Sequence, residues 1–564
     1  MKPLNKLFEL ALAAHQAEDL ATAKKLYLEI LADNPQHAQT LHMLGLLAAQ
    51  FGQFDNAVIW FEQALRFHDA DPILHNNLAN AYKQLNNWDK AAQHYQRAIE
   101  LDENYSDVYN NLGGLLYKQN LLKEAEPFFL KAIALQHDYI EAHLNLGLLY
   151  IKLDDKANAI NQFQQVLQWQ PKSPSAHWQI ANLYLQQDEL VKAMEHYQTL
   201  LSLQPRHVEA LNNLGVLYLK QNDPTDAIDY FNKALQIEPK HKDARSNLAG
   251  ALLQQDRFTE AIFHYQLYLQ LAPEDYQAYY SLGVAYMAAG YFPDAIQQFK
   301  KILAIAPNHA DAYCNLGAIY LKMGKQATAI AYYQKVLECQ PENKAAEYLL
   351  KALTGAANPD AAPTEYVKSL FDSYAGNFDQ HLTDNLHYQV PRLLRQALTN
   401  YIPENAQWRI LDLGCGSGLA GQELKDIAAY LVGVDISPRM LAKAKEKNSY
   451  NELIEADILS VLTGKKANYN LIIAADTLVY FGDLKPIFSS VHTNLSEKGL
   501  FAFTIETADI RSYQLTKTAR YVHAKIYIEI LAKHFDMQIL VDKKITGRLQ
   551  QGEPVEGNLF VLRK

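Results

Sequence analysis

Cysteine is scarce in this 564-residue chain: Cys314, Cys339 and Cys415 are the whole complement. Three thiols so far apart cannot form a disulfide framework, and none is spaced for a zinc cluster, so no metal is expected. Long apolar runs are missing too. No stretch approaches the roughly 18 residues of a bilayer span, and the opening MKPLNKLFELALAAHQAEDL meets acidic Glu9 before a secretory-type apolar core develops. The expectation is a cytoplasmic protein without a membrane span. Positive charge is the third shortage. Lys and Arg number 52 against 62 Asp and Glu, a net charge of −10. Residues 1–343 hold 27 basic and 37 acidic side chains, whereas residues 344–564 hold 25 of each. The acidic first part would repel a nucleic acid, and none is expected as a partner.

What is present is a globular balance, 49% hydrophobic and 20% charged, over a length that asks for about three or four domain-sized units. A fixed period organises the first 343 residues. Leu or Ile followed by Gly or Ala recurs every 34 residues, from Leu10-Ala11 and Leu44-Gly45 through Leu146-Gly147 and Ile180-Ala181 to Leu316-Gly317. An Ala follows each small residue twelve positions later (Ala23, Ala57 and so on to Ala329), and an aromatic follows four positions after that (Tyr27, Phe61 and so on to Tyr333). Pro closes seven of the ten units, for example at Pro35, Pro171 and Pro341. Small residues let two antiparallel helices approach, the aromatic is expected to fill the space between neighbouring pairs, and Pro stops the second helix. This period resembles the tetratricopeptide repeat, over residues 4–343. The resemblance implies an all-α, right-handed superhelix whose concave groove binds a protein or peptide.

Just before the Leu-Gly/Ala pair, Asn occupies six of the ten units: Asn77, Asn111, Asn145, Asn213, Asn247 and Asn315. In the repeat consensus this position is concave, so the six amides are expected to form a ladder. An amide carries a donor and an acceptor that match the N–H and C=O of an extended peptide whatever its sequence. The pattern looks like the asparagine ladder of the glycosyltransferase that adds N-acetylglucosamine to intracellular proteins. The alternative is that these Asn only hydrogen-bond locally. A dicarboxylate clamp would need Lys or Arg where Asn76, Asn110 and Asn212 stand.

Residues 344–353 (KAAEYLLKAL) read as a further amphipathic helix, a solvating cap that ends the first domain at 353, and residues 354–363 (TGAANPDAAP) read as a linker. From 364 to 564 apolar runs alternate with helical stretches. Strands are predicted at 409–413, 430–434, 453–456, 469–474, 499–505, 537–541 and 558–562, an α/β domain with a mostly parallel sheet and helices on both faces. Ligands on such sheets bind beyond the carboxyl ends of the strands.

The first strand runs into ILDLGCGSG at 410–418, and Asp435 ends the second strand 19 residues after Gly416. Glycines let backbone approach a ligand, and a carboxylate ending the next strand can accept both ribose hydroxyls. A dinucleotide reader would place its third glycine where Leu419 stands. The D-x-G-x-G-x-G arrangement instead resembles the Rossmann-like, seven-stranded class I methyltransferases that use S-adenosylmethionine. That resemblance implies Asp412 and Gly414 at the methionine amino end and Gly416 facing the cofactor, within a turn that includes Cys415 and Gly418. It also implies Asp435 on the ribose, Ile436 on the adenine, and Asp457, followed by Ile458, at the adenine amine. The alternative is that the three Asp merely cap helices. Upstream, FDSYAGNFDQH at 371–381 is similar to the segment that lids the cofactor in many small class I enzymes, with Tyr374 and Phe378 as lid aromatics. Four residues apart, they could equally anchor an amphipathic helix. The C-terminal stretch as a whole looks like the predicted bacterial methyltransferases that carry tetratricopeptide repeats.

Methyl transfer from a sulfonium is an in-line displacement in which positioning and exclusion of water carry much of the rate. Were a base needed, Asp476, Tyr480, His523 and His381 are the candidates. The D/N-P-P-Y loop tied to amino groups of bases or glutamine is absent after the fourth strand, and so is the paired-glutamate loop of arginine methyltransferases. The expectation is a class I methyltransferase whose repeats hold a protein segment for methylation. The alternatives are a small-molecule enzyme localised by its repeats, and a non-catalytic adaptor that binds the cofactor as a ligand sensor. The oligomeric state stays open.

Overall fold

The computed structural model describes residues 4–375, 378–380, 382, 388–464, 467–550 and 553–564. The chain divides into two compact units, Met1–Ala244 and Arg245–Lys564. Among the described residues no helix is long and apolar enough to cross a membrane.

The first unit is built from helix pairs, beginning with Leu4–Gln16 and Leu20–Asp33 and reaching Val208–Lys220 and Pro224–Ile237. Each pair is set by local chemistry. Asp71 accepts hydrogen bonds from the amides of Ile73 and Leu74, with Pro72 in the first turn, and so starts its helix. Between the two helices of a pair the chain must reverse through a left-handed residue, supplied by Asn86, Asn120, Asp154, Asp188 and Asn222 (φ 57° to 61°). The recurrent aromatic joins the core shared with the next pair, as Tyr197 does with Ala210, Leu214 and Leu217 and Phe299 with Ala312, Leu316 and Ile319. It also packs inside its own unit, against the small residue sixteen positions earlier: a methyl group added at Gly45, Gly113, Gly147 or Gly215 would fall 2.3–2.9 Å from the ring of Phe61, Phe129, Phe163 or Phe231. Units with Ala at that position carry Tyr instead, and the hydroxyls of Tyr95 and Tyr197 donate to Asn80 and Asn182 (2.5 Å).

The second unit continues with helices of the same kind, among them Tyr276–Ala288 with Phe292–Ile305 and Ala310–Lys322 with Gln326–Cys339. The next helix, Lys344–Thr354, is capped by Asn343 and ends at Gly355 (φ +69°). It is not a solvated cap. Ala346 and Leu353 pack on the preceding pair, while Tyr348 and Ala352 are buried against Leu515, Ala519 and Tyr521. The Tyr348 hydroxyl donates to the Ala519 carbonyl (3.0 Å). The connection that follows is tied down as well. Asp360 O accepts from the amides of Gly482 and Asp483 (2.7 and 3.0 Å), Ala362 N donates to Tyr480 O (2.8 Å), and Asn358 accepts from Leu515 N (3.0 Å).

The sheet contains the seven expected strands: β1 (Trp408–Leu413), β2 (Ala428–Asp435), β3 (Glu452–Glu455), β4 (Tyr469–Ala474), β5 (Leu495–Thr507), β8 (Gln538–Gln550) and β9 (Glu553–Arg563). Two three-residue strands, β6 (Tyr513–Leu515) and β7 (Tyr521–His523), extend it beyond the sequence reading. Strands β3-β2-β1-β4-β5 are parallel in that order; β9 lies antiparallel beside β5 and pairs with β8. Successive residues of each strand serve opposite faces. Leu411, Val432, Val434 and Ile472 enter one core, and Ile410, Leu431, Leu471 and Ile473 enter the other. Helices on both faces are thereby required.

The glycine–ring packing separates two otherwise similar substitutions. Gly147→Ala gains about 1 kcal/mol of helix propensity but forces its methyl 2.7 Å from Phe163, an overpacking cost of about 1–3 kcal/mol. Gly114 also lies in a repeat helix but has open space around its missing methyl, so Gly114→Ala should stabilise by about 0.5–1 kcal/mol. Denaturant midpoints followed by circular dichroism should move down for the first and up for the second.

Candidate active site at the carboxyl ends of the parallel strands

Strand order reverses between β1 and β4, and loops leaving such a switch point diverge and open a crevice. A cavity of about 970 Å³ lies there. It brings together eleven of the residues singled out in the sequence: Phe378, Asp412, Gly414, Cys415, Gly416, Asp435, Ile436, Asp457, Ile458, Asp476 and Tyr480. Gly418 is not on its wall. Gly418 takes φ +89° to enter the helix Leu419–Leu424 and is pressed against Ala444 and Tyr450. Tyr374 closes the helix Thr364–Tyr374, and its side chain lies outside the described residues, as does His381.

The glycines of the first turn serve different needs. Gly414 (φ +70°) has Thr477 2.6 Å from where a Cβ would stand, so a side chain is sterically excluded. Gly416 (φ +54°) would meet only the Phe378 ring, at 3.7 Å, and opens to the cavity. The amides of Gly414 and Cys415 donate to Val434 O (2.8 and 2.9 Å), which ties the turn to β2. Burial pushes the Cys415 thiol well above its usual range, which marks it as wall rather than nucleophile.

Three carboxylates face this turn with different commitments. Asp412 is fully buried. Its Oδ2 accepts from the Tyr450 hydroxyl (2.7 Å), and its Oδ1 has no hydrogen-bond partner among the described residues. Burial lifts its pKa to about 7, with the Tyr450 bond opposing and the charge of Asp435 adding. Asp435 accepts from Gly416 N (2.8 Å) and Ser437 N (2.9 Å); burial raises its pKa and these amides oppose. Asp457 caps the helix Ile458–Leu462 through one oxygen, accepting from the amides of Leu459 and Ser460, while also lining the cavity. Tyr450 escaped the sequence reading. Its ring fills the space that side chains at Gly421 and Gly433 would need, so those two otherwise unexplained glycines were its only signal.

The segment ahead of β1 is fastened by its two acidic residues rather than by its aromatics alone. Asp372 accepts from the Ser437 hydroxyl (2.5 Å), and its carbonyl accepts from Arg439 (2.9 Å). Asp379 accepts from the Ser417 hydroxyl and from Lys447 (2.5 Å). Phe371 and Phe378 meet edge to face (6.2 Å between centroids) and Phe371 also meets Tyr480 (5.6 Å), closing this side of the cavity. Ala361, Ala362 and Thr364 form part of the same wall.

Past β4 the cavity becomes ionic. Asp476 (φ +56°) accepts from Arg520 (2.7 Å) through Oδ1 and from Arg548 (2.6 Å) through Oδ2. Glu506 accepts from Arg548 (2.8 Å), and its Oε1 lies 2.8 Å from Arg520 Nε. Arg520 and Arg548 line the cavity. Sequence reasoning found neither as a site residue, because they come from the β7 approach and from β8, over a hundred residues from the glycine turn. Tyr480 lies under Arg520 (5.4 Å from guanidinium to ring centroid), and burial raises its phenol. His523 does not belong to the site. It is fully buried on β7, its Nε2 2.9 Å from Phe481 O, and burial lowers its pKa to about 4, so it is a neutral structural donor.

In the repeats the ladder amides point first to one another's helices. Asn111 donates to Asn76 (3.0 Å), Asn145 to Asn110 (2.9 Å), Asn213 to the hydroxyl of Tyr197 (3.0 Å) and Asn315 to that of Tyr280 (3.2 Å). Asn77 Nδ2 lies 2.8 Å from His42 Nε2. Asn247 holds the same position on the helix Lys242–Gln254.

Residues 404–551 match a family model described as a methyltransferase domain. Tetratricopeptide-repeat models match 8–72, 79–120, 140–173, 208–241 and 310–343, among other segments. The chain is similar to the 18S rRNA (guanine-N(7))-methyltransferase of Bos taurus, 36% identical over 73 residues, which are 13% of this chain and 26% of that one. It is also similar to the malonyl-[acyl-carrier protein] O-methyltransferase of Bacillus anthracis, 27% identical over 137 residues, which are 24% of this chain and 50% of that one. The chain thus spans half or less of these relatives. Among solved structures, YrrB, described as a TPR protein with an unusual peptide-binding site, is 25% identical over 33% of this chain and 95% of its own, with a TM-score of 0.30. Together with the sheet order and the repeat helices, the family-model matches define the chain as a tetratricopeptide-repeat array followed by a methyltransferase domain.

Proposed function

We propose that this domain takes its methyl group from S-adenosylmethionine, and that the repeats bind a protein or extended peptide and present it, or a neighbouring acceptor, for methylation. The observation that supports the donor is Asp412 Oδ1, a buried carboxylate oxygen without a hydrogen-bond partner among the described residues, on the wall of a cavity shared with Asp435 and Asp457. The residues fit the donor's parts. Asp412 would hold the ammonium group, Asp435 the two ribose hydroxyls, and Asp457 the adenine amine between Ile436 and Ile458. When bound, the sulfonium supplies a methyl group activated toward displacement. Gly416 gives the approach, while Phe371 and Phe378, fastened through Asp372 and Asp379, exclude water.

Neither Asp476 nor Tyr480 is suited to proton removal. Both Asp476 oxygens accept from guanidinium groups, and burial raises the Tyr480 phenol. Their role in this reading is to shape the acceptor side. A second reading, methylation of a small molecule with the repeats as a localising scaffold, draws on the ladder amides, several of which are already engaged between helices.

Calorimetry with S-adenosylmethionine or S-adenosylhomocysteine should detect binding, and Asp435→Ala should weaken it by about 1.5–3 kcal/mol, the worth of hydrogen bonds to a charged group, or ten- to a hundredfold. Absence of heat with either compound in the wild type would falsify the donor assignment. Asp412 makes that affinity pH-dependent. Below its pKa of about 7 the carboxyl is protonated and must lose its proton to hold a cation. Affinity should therefore rise up to tenfold per unit from pH 5.5 and level off above pH 7, and Asp412→Asn should abolish the slope. For the repeats, combined Asn111→Ala, Asn145→Ala and Asn213→Ala substitutions should cut methyl labelling of protein in a lysate. Unchanged protein labelling would favour the small-molecule reading.

A further inference from the structure

The acceptor side of the cavity is defined by what surrounds Tyr480. Phe371 meets its ring at 5.6 Å, Arg520 lies over it, and the Ala361–Ala362 segment is bonded to its carbonyl. Leu370, Tyr366 and Phe481 complete an apolar wall. Into this wall are set two guanidinium groups, Arg520 and Arg548, with side-chain exposures of only 15% and 8%. Each directs two hydrogen bonds to Asp476, Glu506 or Tyr480, out of the five N–H groups a guanidinium carries. The two carboxylates hold the forks in place and leave donors in hand. Such forks match the planar, two-oxygen geometry of a carboxylate.

Proton chemistry points the same way. Burial keeps Tyr366, Tyr388 and Tyr480 as neutral phenols, Asp476 is clamped, and His523 lies outside the cavity. No group on this side among the described residues is placed to take a proton from an acceptor. An alkylammonium would arrive protonated and find no base there to unload it.

Resting on the methyl-transfer reading above, we infer that the methyl acceptor is a carboxylate, seated on Arg520 and Arg548 and methylated on oxygen. A carboxylate oxygen uses a lone pair to form the O–CH3 bond. The C–S bond of the sulfonium breaks with its electron pair going to sulfur, leaving a methyl ester and a neutral thioether. No proton moves. The two opposite charges cancel, a change favoured where water is excluded.

The test uses the full-length protein with methyl-labelled S-adenosylmethionine in a lysate, followed by mild alkali. Methyl esters release their label as volatile methanol, whereas N-methyl and S-methyl groups retain it. Most of the transferred label should be volatile. Its recovery from the protein precipitate identifies an acidic side chain, and from the supernatant a small carboxylic acid. Alkali-stable label overturns the inference while leaving methyl transfer intact; no transfer at all overturns the reading beneath it and the inference together. Independently of turnover, calorimetry on protein saturated with S-adenosylhomocysteine should show hexanoate binding at least tenfold tighter than hexanamide or hexylamine. Arg548→Gln should erase that preference with S-adenosylhomocysteine affinity kept within twofold. No preference for hexanoate in the wild type refutes the assignment.

Discussion

A carboxylate with no exposure has to be matched by a cation or remain costly, and Asp412 at the end of β1 is in that position. Its one hydrogen bond comes from a neutral phenol, and its second oxygen is unpartnered among the described residues. An unpaired buried charge costs several kcal/mol, which is why its pKa stands near neutrality. The surrounding features follow from holding that group at a strand end. Tyr450 needs two glycines to fit beneath it, the glycine turn hangs on Val434, and Asp372 and Asp379 anchor the residues beside Phe371 and Phe378 on the cavity wall.

The two ends of the cavity solve opposite problems. At the β1–β3 end, the carboxyl groups of Asp412, Asp435 and Asp457 line the wall. At the β4–β5 end, Arg520 and Arg548 are fixed by Asp476 and Glu506, so the four charges sum to zero and remain buried without a shortfall. On the methyl-transfer reading proposed above, that difference would serve a cationic donor and an electron-rich acceptor, with the apolar wall between Phe371 and Phe481 excluding water.

Much of this was legible in the sequence because it is periodic or local. The 34-residue spacing revealed the helix pairs, and the D-x-G-x-G-x-G turn with a carboxylate 19 residues on located one end of the cavity. What was missed is non-local. Arg520 and Arg548 reach the site only through the fold, and β6 and β7 are three residues each, too short for a period-2 pattern. His523 drew attention by residue type, but its side chain turns into the interior, toward Phe481 O. The aromatic of each repeat was recognised, but its close fit against the small residue of its own unit was not. Spacing tells which face a residue occupies, and the Gly–Phe fit is visible only once two helices meet. The acidic residues at 372 and 379 repeat at the same interval as the aromatics beside them, a signal hidden by attention to the rings.

The stretch from Asn358 to Ala362 has a consequence for how such domains can be exchanged. Composition marks it as part of a linker, yet its backbone is bonded to Tyr480, Gly482 and Asp483, and Ala361 and Ala362 wall the cavity. Recombination that joined another repeat array at residue 364 would import the floor of the chamber while discarding one of its sides. A junction that keeps this wall whole has to fall upstream of Tyr348, which is itself buried against Leu515, Ala519 and Tyr521.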